Sequence, residues 1–217
     1  MTAYATTRNG FRLLPEYFDR VQQADLAAQV IGALQDAPLF TPSMPRTGKP
    51  LSVQMSNFGP LGWVADRSGY RYEARHPVTG TPWPAMPQAL LELWEAVSGW
   101  PEPPQACLIN VYGPQSRLGL HIDADEDARE APVVSVSLGD RARFRLGGPQ
   151  RSSPTRSLFL SSGDVVVLGG ASRRFFHGVD RIYPGTSTLL SGPFSPGRIN
   201  LTMRRVHTGG GAGTTRS

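Results

Sequence analysis

The segment Leu120-His121-Ile122-Asp123 places an imidazole and a carboxylate two residues apart. On an extended chain, residues i and i+2 point to the same side. His121 and Asp123 therefore offer one nitrogen and one oxygen to a common point. A second histidine, His177, lies far downstream in Phe175-Phe176-His177-Gly178, beyond several expected strands. Antiparallel pairing can bring it beside the first two. Two imidazoles and one carboxylate on one face of a metal form the facial triad of non-haem iron(II) oxygenases, with the opposite face open to co-substrate and oxygen. The same donors also suit zinc, so the ligands alone leave a zinc hydrolase open.

A second group lies in Arg198-Ile199-Asn200-Leu201-Thr202-Met203-Arg204. Ile199, Leu201 and Met203 share one face of the expected strand; Arg198, Asn200, Thr202 and Arg204 share the other. The plain reading is an amphipathic strand with a solvated polar face. The chemical reading is a strand offering two guanidinium forks to a small dicarboxylate, whose oxygens match their planar donors. Asn110 and Tyr112, also at i and i+2 of an expected strand, can add hydrogen bonds to the same ligand.

The elements that must position these residues follow from periodicity. Ala27, Val30, Ile31 and Leu34 mark a helix over 24–36, stopped by Pro38 and Pro42. Met86, Leu90, Leu93, Trp94 and Val97 mark a second helix, opened near Pro87 and closed by Gly99. From residue 106 onward, short β-branched runs alternate with turn residues: 107–112, 132–138, 142–146, 157–160, 164–168, 175–179 and 198–205. That spacing predicts a sandwich or barrel. The Gly-rich end, residues 207–217, has the composition of a flexible tail.

At 217 residues the chain fits one compact domain. The lone Cys107 excludes an internal disulfide and a cysteine zinc cluster, and its apolar neighbours make it a core residue. Met1–Asn9 lacks an apolar signal core, and no run approaches the ~20 apolar residues of a membrane helix. The expectation is a cytoplasmic protein with no membrane partner and no obligate protein partner. A net charge of +5 favours polyanions. Because Lys49 is the only lysine, the arginine-rich balance also fits a GC-rich genome.

The motifs Met55-Ser56-Asn57-Phe58-Gly59-Pro60-Leu61-Gly62-Trp63, Trp83-Pro84-Ala85-Met86-Pro87 and Ala106-Cys107-Leu108-Ile109-Asn110-Val111-Tyr112 occur in that order. His121-Ile122-Asp123-Ala124-Asp125-Glu126, Val133–Gly139, Asp164–Val167, His177-Gly178 and the Arg198–Arg204 strand follow. In these motifs, across residues 50 to 206, the sequence resembles the AlkB alkylation-repair dioxygenases. The resemblance implies a mainly-β α+β fold: a double-stranded β-helix (jelly-roll, cupin-like) core at 106–206, preceded over 1–105 by N-terminal helices and a nucleotide-recognition lid. It implies that His121, Asp123 and His177 bind Fe(II), and that Asn110, Tyr112, Arg198, Asn200 and Arg204 hold 2-oxoglutarate. With O2 as the other co-substrate, the implied reaction is oxidative dealkylation of bases such as 1-methyladenine and 3-methylcytosine. It releases succinate, CO2 and an aldehyde.

The implied partner is alkylated DNA, single- or double-stranded, and by the same chemistry RNA. A base inside a duplex cannot reach a metal in a pocket and must be extruded. By resemblance, Trp63 and His121 sandwich that base, Tyr70 and Tyr72 contact the substrate backbone, Asp125 reads an exocyclic amino group, and Arg151 touches the substrate. Other readings remain open here. Asp125, Glu126 and Asp127 can form a solvated loop, Arg141, Arg143 and Arg145 can track phosphates or simply face water, and His76 and His207 read as surface residues. An RNA or tRNA demethylase of the same fold and a non-catalytic nucleic-acid-binding jelly roll are the alternatives.

Overall fold

A computed structural model describes residues 9–209; residues 1–8 and the tail from 210 onward lie outside the described residues. Twelve strands and two α-helices follow one another. In chain order they are β1 (Phe11–Leu14), α1 (Arg20–Ala33), β2 (Gln54–Phe58), β3 (Gly62–Asp66), β4 (Gly69–Glu73) and α2 (Gln88–Ser98). Then come β5 (Ala106–Tyr112), β6 (Leu118–His121), β7 (Val133–Gly139), β8 (Arg141–Leu146), β9 (Arg156–Leu160), β10 (Val165–Leu168), β11 (His177–Tyr183) and β12 (Arg198–Arg204).

Ten strands form two antiparallel sheets. The larger is ordered β1-β10-β7-β12-β5-β2 and the smaller β6-β11-β8-β9; β3 and β4 stand apart as a hairpin. This is the expected mainly-β jelly-roll class. Strand alternation builds its layers. Ile199, Leu201 and Met203 pack with Ile109, Val134 and Val136 against Leu26, Val30, Leu90 and Trp94 of the helices. The opposite face of the larger sheet, with Leu108, Val166 and Leu168, meets Phe144, Leu160 and Val179 of the smaller sheet. Each fully buried aliphatic side chain contributes about 1.5–3 kcal/mol.

The first helix starts earlier than its apolar stripe suggests. Asp19 accepts from the Gln22 amide at 2.9 Å, and the Gln22 side chain accepts from the Asp19 amide at 3.0 Å, closing a capping box. Its buried positions are Gln23, Leu26, Ala27 and Val30; Ile31 and Leu34 are only half-buried. The second helix matches its stripe, with Leu90, Leu93, Trp94 and Val97 buried and Gly99 left-handed at φ 66.

Five strands were not visible as strands in the sequence: β1, β2, β3, β4 and β6. The first 105 residues supply both edge strands of the larger sheet, so a boundary at residue 105 runs through that sheet. β2 is polar in composition, yet it is buried. Ser56 donates to the Ala37 carbonyl at 2.7 Å and Asn57 is spent on Trp63, so tertiary partners satisfy it. β11 runs to Tyr183, past the expected end at 179, because a bulge between Val179 and Arg181 breaks the alternation.

His76 is not a surface residue. It is 2% exposed, packed edge-on against Phe40 and tilted against Trp83, with one ring nitrogen accepting from the Val78 and Thr79 amides and the other donating to the Pro38 carbonyl. It ties down the loop between β4 and α2. His207, by contrast, is half-exposed beside Asp127.

β11 and β6 approach closely at Gly178. A Cβ there would meet the backbone oxygens of Leu118 and Gly119 at 2.6 and 2.8 Å. Gly178→Ala is expected to force the strands apart and lower the melting temperature by about 5 °C; an unchanged calorimetric midpoint would refute that packing. Cys107 is fully buried and burial pushes its thiol up to about 12. It should therefore resist thiol reagents at pH 8 until the chain is denatured. Rapid labelling of the native protein would contradict its placement.

Candidate metal and dicarboxylate centre

Strand pairing builds the metal group. β11 lies antiparallel to β6 with His177 directly opposite His121, and Asp123 follows just past the end of β6. One ligand atom from each of His121, Asp123 and His177 falls within 4.8 Å of the others. The Nε2 atoms of His121 and His177 each lie 3.7 Å from a different oxygen of Asp123.

Both rings are oriented from behind. His121 Nδ1 donates to the Gly119 carbonyl at 2.9 Å, and His177 Nδ1 donates to the Phe175 carbonyl at 3.0 Å. A carbonyl can only accept, so each Nδ1 carries the proton and each Nε2 lone pair faces the common point. Burial pushes His177 down to about 4, which keeps its imidazole neutral at pH 7. Asp123 is held well below the usual carboxylate range: burial opposes its charge, but the Arg204 guanidinium outweighs that, and His177 and His121 add to it once they protonate in acid. Its Oδ2 is buried without a hydrogen-bond partner. A buried, ionised oxygen facing two imidazole lone pairs fits a divalent metal.

Beside this group, β12 crosses between β5 and β7. Its register sets Arg198 opposite Tyr112 and Asn200 opposite Asn110. All four polar β12 residues, Arg198, Asn200, Thr202 and Arg204, are buried and line the same cavity as the triad, together with Asn110 and Tyr112. The cavity holds about 410 Å³.

The two arginines differ. Arg204 donates from Nη2 to Asp123 Oδ1 at 2.9 Å and lies 3.4 Å from Glu126 through Nε. The charges of Asp123, Tyr72 and Glu126 outweigh its burial and raise it well above its ordinary value. Arg198 is 1% exposed, and among the described residues no carboxylate lies within ion-pair distance of it. It donates from Nη2 to Ser137 at 2.8 Å, while its Nε and Nη1 have no partner. Burial therefore lowers its basicity. A desolvated guanidinium with free donors is costly to keep. A carboxylate of a small diacid in the cavity would pair it.

The base-facing candidates come from the β3–β4 hairpin and two loops. Asn57 grips the main chain of Trp63, accepting from its amide at 3.0 Å and donating to its carbonyl at 3.2 Å. Trp63 stacks on Tyr70, centroids 5.5 Å apart and planes at 18°, and its indole donates to Asp125 at 2.8 Å. One face of the Trp63 indole is thus covered by Tyr70. Trp63, Tyr70, Asp125 and Arg151 all border the cavity, the last packed over the Phe176 ring. Tyr72 is not among the residues lining it; its hydroxyl donates to Glu126, which does line it. Burial, chiefly, raises that phenol well above its ordinary value.

Glu126 and Arg173 escaped the sequence reading. Glu126 is buried, not part of a solvated loop, and forms a 2.8 Å ion pair with Arg173. Arg173 also donates to the carbonyls of Asp123 at 2.6 Å and Ala131 at 2.8 Å, clamping the loop that carries the metal carboxylate. No local pattern marks Arg173, and Glu126 stood only at the end of the His121–Glu126 motif with no role attached to it.

The model of the 2OG-Fe(II) oxygenase superfamily matches residues 10–204. An alpha-ketoglutarate-dependent dioxygenase AlkB homolog of Caulobacter vibrioides is 50% identical over 199 residues, covering 92% of this chain and 89% of its own. The Escherichia coli alpha-ketoglutarate-dependent dioxygenase AlkB is 46% identical over 163 residues, 73% of this chain and 74% of its own. The solved OsALKBH1 structure superposes with a TM-score of 0.78 at 31% identity, covering 94% of this chain and all of that one.

Asp123→Ala is expected to abolish iron(II) binding, because the centre loses its only anionic donor. Titration of the apo-protein with Fe(II) under anaerobic conditions checks this, and an unchanged affinity would show the three residues are misassigned. Arg198→Ala should weaken 2-oxoglutarate binding at least about 100-fold, as expected for a desolvated charge pair. Calorimetry reads that loss, and wild-type affinity would take Arg198 out of the pocket.

Proposed function

We propose that this chain, which belongs to the AlkB-type branch of the 2OG-Fe(II) oxygenase superfamily, repairs DNA by removing small alkyl groups from base nitrogens. It is an Fe(II)- and 2-oxoglutarate-dependent dioxygenase. The observation that carries the substrate reading is the make-up of the cavity. The triad and Arg198, with its free donors, line one cavity together with Trp63, Tyr70 and Asp125.

His121, Asp123 and His177 would hold the metal, and Asn110, Tyr112, Arg198, Asn200 and Arg204 would hold 2-oxoglutarate. When bound, iron and 2-oxoglutarate supply, with O2, the oxidising power that hydroxylates the N-alkyl carbon, with succinate and CO2 as co-products. The hydroxylated carbon then leaves nitrogen as an aldehyde, formaldehyde for a methyl group.

The chain's own residues orient and shield the reactants. Arg198 pairs the far carboxylate, and Tyr112 packs beneath that guanidinium, its ring centroid 5.5 Å away. Arg204 keeps Asp123 ionised and fixed. Leu118, Phe144, Leu160 and Val179 give the cavity an apolar wall that excludes bulk water. The Trp63 face stacks an extruded base, a contact that contributes ~1–3 kcal/mol. The Asp125 carboxylate, placed by the Trp63 indole, attracts the positive charge of 1-methyladenine or 3-methylcytosine and accepts from an exocyclic amine. Arg151, at the cavity border, would meet a phosphate.

The direct test is to load the protein with Fe(II) and 2-oxoglutarate anaerobically, then admit oxygen and an oligonucleotide carrying 1-methyladenine. Mass loss of one methylene unit (methyl replaced by hydrogen) with matching succinate is the expected result. Running methylated single-stranded DNA, duplex DNA and tRNA side by side sets the polymer, and faster turnover on tRNA would overturn the DNA assignment. Binding without turnover would favour a non-catalytic jelly roll. Trp63→Ala should weaken binding of the methylated oligonucleotide about tenfold or more while sparing 2-oxoglutarate binding. Equal losses in both would make Trp63 structural.

A further inference from the structure

The smaller sheet has two faces, and the catalytic reading uses one. Ala142, Phe144, Leu160, Val179 and Ile182 point inward to the cavity and core. Register then places Arg141, Arg143 and Arg145 of β8, Phe159 of β9, and Arg181 and Tyr183 of β11 on the outer face. Phe159 is 51% exposed, far more than a core-forming aromatic.

This face is an arginine–aromatic lattice. The Arg141 guanidinium lies 5.1 Å from the Phe159 ring and 5.3 Å from the Tyr183 ring, and Arg181 lies 5.2 Å from the Tyr183 ring. Among the described residues, neither Arg141 nor Arg181 has a carboxylate partner or a side-chain hydrogen bond. Arg143 and Arg145 share one carboxylate, Asp180, at 2.7 and 3.2 Å. Four guanidinium groups against one carboxylate leave a strongly positive surface. Stacking on the rings holds the free forks flat while their N–H edges face solvent.

One loop links this face to the cavity lining. The loop joining β8 to β9 carries Arg151, which lines the cavity, and Arg145, next to the last residue of β8, is hydrogen-bonded to Thr155 in that loop. From there Arg145, Arg143 and Arg141 step away along one strand at about 7 Å intervals. A strand leaving the cavity past Arg151 would run along a line of cations, with the exposed Phe159 ring of β9 beside Arg143 and Arg141.

We propose that the outer face of the smaller sheet is a second DNA-contacting surface. It holds the single strand flanking the damaged base, with phosphates on Arg141, Arg143, Arg145 and Arg181 and a base against Phe159. Free guanidinium groups pair phosphates, and an exposed aromatic ring flanked by cations stacks an unpaired base. The proposal rests on the reading of DNA as substrate, but binding alone tests it.

The experiment measures fluorescence anisotropy of an unmodified 20-nucleotide single-stranded oligonucleotide, without iron, over a range of salt. Each phosphate contact on a single strand contributes about −0.7 to the slope of log affinity against log salt. The double variant Arg141→Ser/Arg181→Ser is expected to reduce that slope by about 1.4 units. Phe159→Ala should weaken binding about tenfold and leave the slope unchanged. Turnover of a methylated trinucleotide, too short to reach this face, should equal wild type in both variants. That equality also shows the variants are folded.

An unchanged slope in the double variant together with unchanged affinity in Phe159→Ala would overturn the proposal. So would equal losses on the trinucleotide and the 20-mer. If the slope falls as expected but no methylated substrate is turned over by wild type, the dealkylation reading fails and the surface stands.

Discussion

The pairing of β11 with β6 is the constraint on which the centre depends. Its register sets His177 opposite His121, and a one-residue slip would turn one imidazole to the other face of the sheet. Gly178 lets the two strands approach that closely, since a side chain there would strike backbone oxygens. Two backbone carbonyls then fix both tautomers, so the strands deliver lone pairs already aimed. The metal site is thus a property of sheet geometry, with little left to side-chain freedom.

The second determinant is β12, a central strand whose two faces have opposite chemistry. One face is aliphatic and packs under the helices; the other carries two arginines into the space between the sheets. The sheet can bear this because the two charges are handled differently. Arg204 is neutralised by Asp123 and Glu126, whereas Arg198 is left with unpaired donors. Stability alone would favour a smaller apolar residue at position 198. A cation buried there with free donors is what the proposed carboxylate ligand would pair.

Glu126 joins the two halves of the machinery. It receives the Tyr72 hydroxyl from the hairpin that carries Trp63 and Tyr70, and it is paired to Arg173 and Arg204, which hold Asp123. The hairpin that carries Trp63 and the loop that carries Asp123 therefore share one buried carboxylate. The outer arginine–aromatic face lies on the other side of the smaller sheet from the cavity.

Much of this was legible in the residues themselves. His-x-Asp and the alternation of Arg198–Arg204 follow from local spacing, because period-two geometry decides which side chains share a side before any tertiary contact forms, whereas the distant His177 was a candidate that strand pairing had to deliver. The stripe of α2 and the burial of Cys107 were equally local. What the sequence left undecided depends on partners remote in the chain. β2 reads as polar but is a buried edge strand because Ala37 and Trp63 satisfy Ser56 and Asn57. His76 reads as a surface loop residue but is enclosed by Phe40 and Trp83. Glu126 reads as solvated until Arg173 is brought to it, and Tyr72 turns inward to that same carboxylate. Periodicity encodes the face a residue presents; whether that face meets water, a counter-charge or a ligand is settled only when the sheets close on one another.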